Sequence, residues 1–100
     1  GDPAAVQYIA NMRDGSVCGF KYFQMRGAKA IRCAVSGVCR GNIEVSDTPE
    51  FSTLAASIPV EAGKTMMNVT APFRMPDGVK ALYFRFRGEG AMNFFTFELS

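Results

Sequence analysis

The sequence predicts an all-β domain, an antiparallel β-sandwich of short strands. Three observations carry that prediction. Apolar side chains recur at every second position, turn residues separate the runs about every ten residues, and helical periodicity is weak. A chain of 100 residues with 48% hydrophobic and 20% charged residues has ordinary globular composition, too apolar for disorder. It is the size of one domain, residues 1–100, with 1–7 reading as a chain end or linker. Gly1-Asp2-Pro3 reads as a trimmed end, from which a signal peptide was removed or lies upstream.

Taken in order, Ala30-Ile31-Arg32-Cys33-Ala34-Val35 alternates with Ile31, Cys33 and Val35 on one face. A turn-rich break at 36–42 and a second alternating run, Ile43-Glu44-Val45, read as a hairpin. Pro49 to Ala56 carries a weak helical signal of one or two turns, limited by Pro59 and by Ser and Thr. Ile58-Pro59-Val60 and Met67-Asn68-Val69 are further short strands. Met75-Pro76-Asp77-Gly78 is a strong turn, because Pro presets the bend and Gly accepts a positive φ. In the following strand, Leu82, Phe84 and Phe86 share one face while Tyr83, Arg85 and Arg87 take the other. After Gly88-Glu89-Gly90, the last strand places Phe95, Phe97 and Leu99 together.

Composition removes whole classes of chemistry. The chain has no His, which excludes Ser-His-Asp and Cys-His nucleophile pairs and His-ligated zinc. No catalytic and no metal-ligating residues are expected. A net charge of +2 is too small to drive electrostatic nucleic-acid binding, and no apolar run is long enough to span a membrane as a helix. The three cysteines match no metal or redox spacing and read as small buried apolar residues, with Cys33–Cys39 the plausible pair if any forms. Asp14, Asp47 and Asp77 sit in turn contexts, where the carboxylate bonds nearby backbone N–H groups.

Several segments resemble a known family. Gly41-Asn42-Ile43-Glu44-Val45 followed by Leu54 to Val60 is similar to the "G-x-I-E-V … G-x-I-x-V" stretch of family-six carbohydrate-binding modules. Asp77 to Gly88 resembles their "G-V-H-D-L-Y-L-x-F-K-G" strand, and Ala91 to Phe97 their closing "N-L-(N/D)-W-F-x-F" strand. Gly19 to Phe23 through Gly27 to Ile31 looks like the variant attached to family-43 glycoside hydrolases, chiefly bacterial β-xylosidases and arabinofuranosidases. The match runs from about Tyr8 to Leu99.

The resemblance implies a jelly roll of the galactose-binding type and a noncatalytic role. It implies attachment to a secreted or periplasmic plant-polysaccharide enzyme, with that enzyme's catalytic domain as the partner. Complete modules begin with a "Y-x-x-E-A-E" strand that supplies ligands to a structural calcium. Tyr8-Ile9-Ala10-Asn11 has no such carboxylates, so no cofactor is expected and calcium stays open. A lost first strand would leave an open sheet edge, which invites homodimerisation or swapping.

In the family, sugar binds at one edge of the sandwich through an early Tyr or Trp, a mid-chain Trp and an Asn before the last strand. Those positions fall near Val17, near Gly63 and at Ala91, none of which can stack or hydrogen-bond through its side chain in that way. The remaining candidates lie on a sheet face: Tyr83, Arg85 and Arg87 by alternation, with Tyr22 and Phe94 of unsettled facing.

The first reading is therefore an accessory module that packs mainly on the catalytic domain, with sugar binding weak or lost. The alternative is a carbohydrate-binding module that uses the concave sheet face for a xylan- or arabinan-type oligosaccharide. A third, single-stranded nucleic-acid binding, is suggested by Tyr83 to Gly88. It is undercut because the Phe and Arg side chains point to opposite faces.

Overall fold

The computed structural model describes the backbone of residues 5–100, and the side chains from Tyr8 onward except that of Lys21. Eight strands follow in order: β1 (Ala5–Met12), β2 (Val17–Met25), β3 (Ala30–Ser36), β4 (Cys39–Ser46), β5 (Ala56–Ala62), β6 (Met67–Pro72), β7 (Gly78–Gly90) and β8 (Met92–Leu99). They form two antiparallel four-stranded sheets, β1-β8-β3-β6 and β2-β7-β4-β5. Only β4 to β5 joins sequence neighbours within one sheet; every other connection crosses between layers, which makes the sandwich a jelly roll. Residues 5–7 belong to β1 rather than to a linker. The Gly1-Asp2-Pro3 end lies outside the described residues.

Alternation fills the space between the sheets. Ile31, Cys33 and Val35 from one layer meet Ile43, Val45, Leu82, Phe84 and Phe86 from the other, all buried. Aromatic rings form the centre: Phe84 lies 5.0 Å from both Phe94 and Phe97, and Phe20 5.5 Å edge-on from Phe84. Such offset and edge contacts are the arrangements that ring quadrupoles favour.

Two local expectations fail. β3 and β4 are not a hairpin, because β3 is flanked by β8 and β6 on both sides and the chain crosses to the other sheet through Gly37 and Val38. The apolar faces of β3 and β4 thus face each other across the core instead of lying side by side. Residues 49–55 form a loop, not a helix, and Ala56 opens β5. The Phe51 amide donates to the Thr48 carbonyl in a tight turn, and the buried Ser46 hydroxyl donates to the Thr53 carbonyl at 2.9 Å and accepts from the Thr48 amide. A hydroxyl that binds backbone groups in this way competes with helical hydrogen bonding.

Candidate functional site

The outer face of the second sheet collects most of the residues singled out in the sequence. On β7, Leu82, Phe84 and Phe86 turn inward and are fully buried, while Tyr83, Arg85 and Arg87 turn outward as alternation requires. This also removes a stacking platform for nucleic-acid bases at Tyr83 to Gly88, since the two phenylalanine rings are inside. Neighbouring β2 pairs Val17 with Arg85 and Gly19 with Tyr83. A Cβ at Gly19 would sit 2.9 Å from two carbons of the Tyr83 ring, so the ring rests directly on that glycine backbone.

Further along β2 the register slips. Phe20 pairs with Leu82, yet Phe23 pairs with Lys80, so Lys21 and Tyr22 together stand opposite Ala81. This β-bulge re-aims one side chain. Strict alternation would send Tyr22 inward with Phe20; instead it is 68% exposed on the same outer face as Tyr83.

Two cations of this face, Arg85 and Arg87, are already engaged, while Arg40 is exposed. The Arg85 Nε donates to Glu44 Oε1 at 2.7 Å, and its Cζ lies 4.3 Å above the centre of the Phe51 ring. Phe51 reaches that position from the β4–β5 loop with φ of 53°, a left-handed conformation costing a bulky residue about 1–2 kcal/mol. Burial of its ring over Arg85 offsets that strain. Arg87 donates to Asp14 Oδ1 at 3.1 Å, and the Gly88 amide donates to the same oxygen. Arg85 and Arg87 are therefore each paired with a carboxylate of the chain itself. The rings of Tyr22 and Tyr83 are the aromatic groups this face offers a ligand.

Phe94 does not belong to the site. It is fully buried and packs on Phe84 and Phe20. The cause is a second register slip: Ala34 pairs with Thr96 but Val35 with Phe94. Phe95 is the extra residue, so it, not Phe94, leaves the core, and its ring meets exposed Tyr8 at 5.1 Å. The expected grouping of Phe95 with Phe97 and Leu99 is corrected by the same bulge.

Two of the three positions assigned to the family's edge site, Gly63 and Ala91, meet the same β3–β4 crossover, while Val17 starts β2 at the opposite edge of the second sheet. The Gly37 amide donates to the Gly63 carbonyl at 2.7 Å and the Ala91 amide to the Val38 carbonyl at 3.3 Å. Exposed Val38 and Met66 present aliphatic groups beside Gly63 and Ala91, Val17 is exposed at the start of β2, and none of the three positions carries a flat ring or a side-chain amide. Among the described residues no three of Cys, Asp and Glu come together as a metal site. Asp14 and Asp77 are held by protein donors, Asp77 by the Gly27 amide at 2.9 Å.

All three cysteines are free. Cys33 and Cys39 lie on different sheets. Burial pushes the Cys18 thiol up from 9.0 to about 11. Burial, with a smaller contribution from Cys18 facing it, pushes Cys33 up to about 12. Neither is a reactive thiolate at neutral pH.

Sequence reasoning missed Phe51 and Gly19. The outward position of Glu44 was legible, because it alternates with buried Ile43 and Val45. Nothing local marks Phe51 as the lid of Arg85.

No protein-family model matches the chain. It is 41% identical over 92 residues, 92% of its length, to a xylosidase/arabinosidase of Thermoclostridium stercorarium, of which it spans 19%. Among solved structures it is similar to a family 6 carbohydrate-binding module from Clostridium cellulolyticum in complex with xylose. The TM-score is 0.85 at 17% identity, covering 99% of this chain and 88% of that one. A family 6 module from Clostridium stercorarium in complex with cellobiose gives 0.83 at 22% identity, covering 100% and 83%. A family 43 arabinoxylan arabinofuranohydrolase from Bacillus subtilis, in complex with cellotetraose, gives 0.82 at 20% identity; 95% of this chain overlies 21% of that enzyme.

Proposed function

We propose that this chain, a carbohydrate-binding module of the family 6 type, is the noncatalytic accessory domain of a plant-polysaccharide-degrading glycoside hydrolase of xylosidase or arabinofuranosidase type. Its main work is to pack on the catalytic domain, and its edge sugar site is weak or lost. One observation carries this reading: where Gly63 and Ala91 meet the Gly37–Val38 crossover, exposed Val38 and Met66 present aliphatic groups in place of stacking and hydrogen-bonding ones, and Val17 puts an exposed aliphatic group where the family has its early ring. An aliphatic rim suits a protein neighbour better than a hydroxyl-rich sugar. That the chain spans a fifth of its xylosidase/arabinosidase relative supports a neighbour within the same polypeptide. A secreted or periplasmic location belongs to the same proposal, because polysaccharides are met outside the cytoplasm.

Calorimetry with xylo- and arabino-oligosaccharides tests the binding half. The expected result is no heat below millimolar sugar, together with a higher unfolding temperature for the module inside the full-length protein than alone. Tight binding, or identical unfolding in both settings, overturns the reading.

The alternative reading, a functional module that binds through the outer face of the second sheet, is favoured by Tyr22, which is exposed beside Tyr83 with no protein ring against it among the described residues. It requires Tyr22→Ala or Tyr83→Ala to abolish retention on insoluble xylan while leaving the fold intact. β1, β6, β2 and β5 end their sheets, so an edge-to-edge homodimer is the self-association this fold permits; sedimentation reads it directly.

A further inference from the structure

One pole of the sandwich holds an open groove of about 580 Å³, between the β2–β3 turn, the residue before β5 and the β6–β7 connection. That volume falls within the ordinary range for small-ligand sites. Ala55 and Phe73 are buried, and Ala28 and Met75 pack against the core, so its inner surface is apolar and fixed. Its walls are tied by backbone hydrogen bonds: the Phe73 amide donates to the Lys29 carbonyl at 2.8 Å, and the Arg74 amide to the Ala55 carbonyl at 2.9 Å.

Lys29 and Arg74 also line the groove. Both are exposed, and among the described residues neither takes part in an ion pair. Arg32, Lys80, Arg85 and Arg87 do, whereas Arg13, Arg26, Arg40 and Lys64 also take part in none among the described residues; what sets Lys29 and Arg74 apart is that both line one groove. Two acceptors lie nearby: Asp77, one of whose oxygens accepts from the Gly27 amide, and the Ser100 oxygen, which accepts from the Lys29 amide at 2.7 Å and the Ala30 amide at 3.0 Å. A neutral pyranose finds no exposed ring here, because Phe73 is buried. What the groove presents is two exposed cations outside any ion pair among the described residues, beside an apolar surface.

We propose that this groove binds a uronic-acid unit of an acidic oligosaccharide, with Lys29 and Arg74 taking its carboxylate and Ala28, Pro72 and Met75 meeting the apolar side of its ring. Charge-assisted bonds from a guanidinium or ammonium to a carboxylate are the strong ones, and arginine can make two at once. That the anion is a sugar rests on the proposed function; that the groove takes a carboxylate rests on its lining alone.

The test titrates the chain with a xylo-oligosaccharide bearing one glucuronic acid branch and with its unbranched neutral counterpart. The branched sugar should bind and the neutral one should not bind in the groove. Arg74→Ala and Lys29→Ala should each weaken binding at least about tenfold, as loss of one charge-assisted bond implies. Arg74→Lys should restore part of it, and added salt should weaken it. Equal affinity for both sugars, indifference to Arg74→Ala, or no binding of the branched sugar overturns the proposal. If a variant fails to fold, amide shifts in the unaltered chain replace it. Movement of Ala28 and Arg74 on adding the branched sugar supports the groove, and movement confined elsewhere refutes it. Neutral-sugar binding lost in Tyr22→Ala but kept in Arg74→Ala would contradict the proposed function and favour the outer-face reading, without touching this inference.

Discussion

The two sheets of this sandwich share one core but are built from different backbones. β1, β3, β6 and β8 contain no glycine, whereas β2, β4 and β7 carry Gly19, Gly41, Gly78, Gly88 and Gly90. In the second sheet a Cβ at Gly41 would fall 2.1 Å from the Arg87 carbonyl oxygen, so β4 and β7 approach more closely there than side chains allow. Its outer face is knit by Glu44, Arg85 and Phe51 and by Asp14 with Arg87. The first sheet's outer face has one described ion pair, Arg32 with Glu98, and the Tyr8–Phe95 contact. The lesson is that glycine in a strand makes room: Gly19 gives Tyr83 its bed, and the face that holds the candidate site is the face where backbone is exposed to side chains.

The comparison can be broken at graded strengths. Phe84→Ala removes the ring that both sheets share, and should cost about 3–5 kcal/mol in chemical denaturation; a small loss would mean the core is not continuous between layers. Gly41→Ala should cost about 1–3 kcal/mol by forcing β4 from β7, whereas Ala34→Gly in the glycine-free sheet should cost only about 1 kcal/mol. A reversal of that order would dismiss the close approach.

The next effect depends on pH. Cys18 and Cys33 have raised values in the folded protein, about 11 and about 12 against 9.0. The folded state therefore holds these protons more tightly, and their contribution is fully present below pH 9. It is lost as pH rises from about 9 towards 11–12. Thermal melts from about pH 7 to about pH 11 should be flat at first and then fall; Cys18→Ala should flatten part of the fall.

Smaller effects separate the two outer faces. Arg85→Ala should cost about 1–2 kcal/mol, since it removes a part-buried cation stacked on a ring and leaves Glu44 unpaired. Arg32→Ala on the other sheet breaks an exposed pair and should stay within about 1 kcal/mol. Equal costs would show that the Phe51 lid adds nothing.

Much of the fold was legible locally. Leu82, Phe84 and Phe86 against Tyr83, Arg85 and Arg87 follow from a period of two, and the structure keeps every one of those facings. The site was half legible. Tyr83 and Tyr22 do share a face, but Tyr22 reaches it only through a bulge, and Phe94 was drawn inward by another. A bulge is a relation between a strand and its neighbour, and it leaves no mark on a hydrophobic pattern read along one strand.

By itself the sequence determined the strand character of the chain and, away from the bulges, which side chains seek the interior, because pleating and burial act residue by residue along a strand. The tertiary structure alone decided that β3 and β4 face each other across the core, that Phe51 folds back onto Arg85, and that Lys29 and Arg74 line one groove. Those outcomes join residues far apart in the chain, and only packing of the two sheets weighs them against the alternatives.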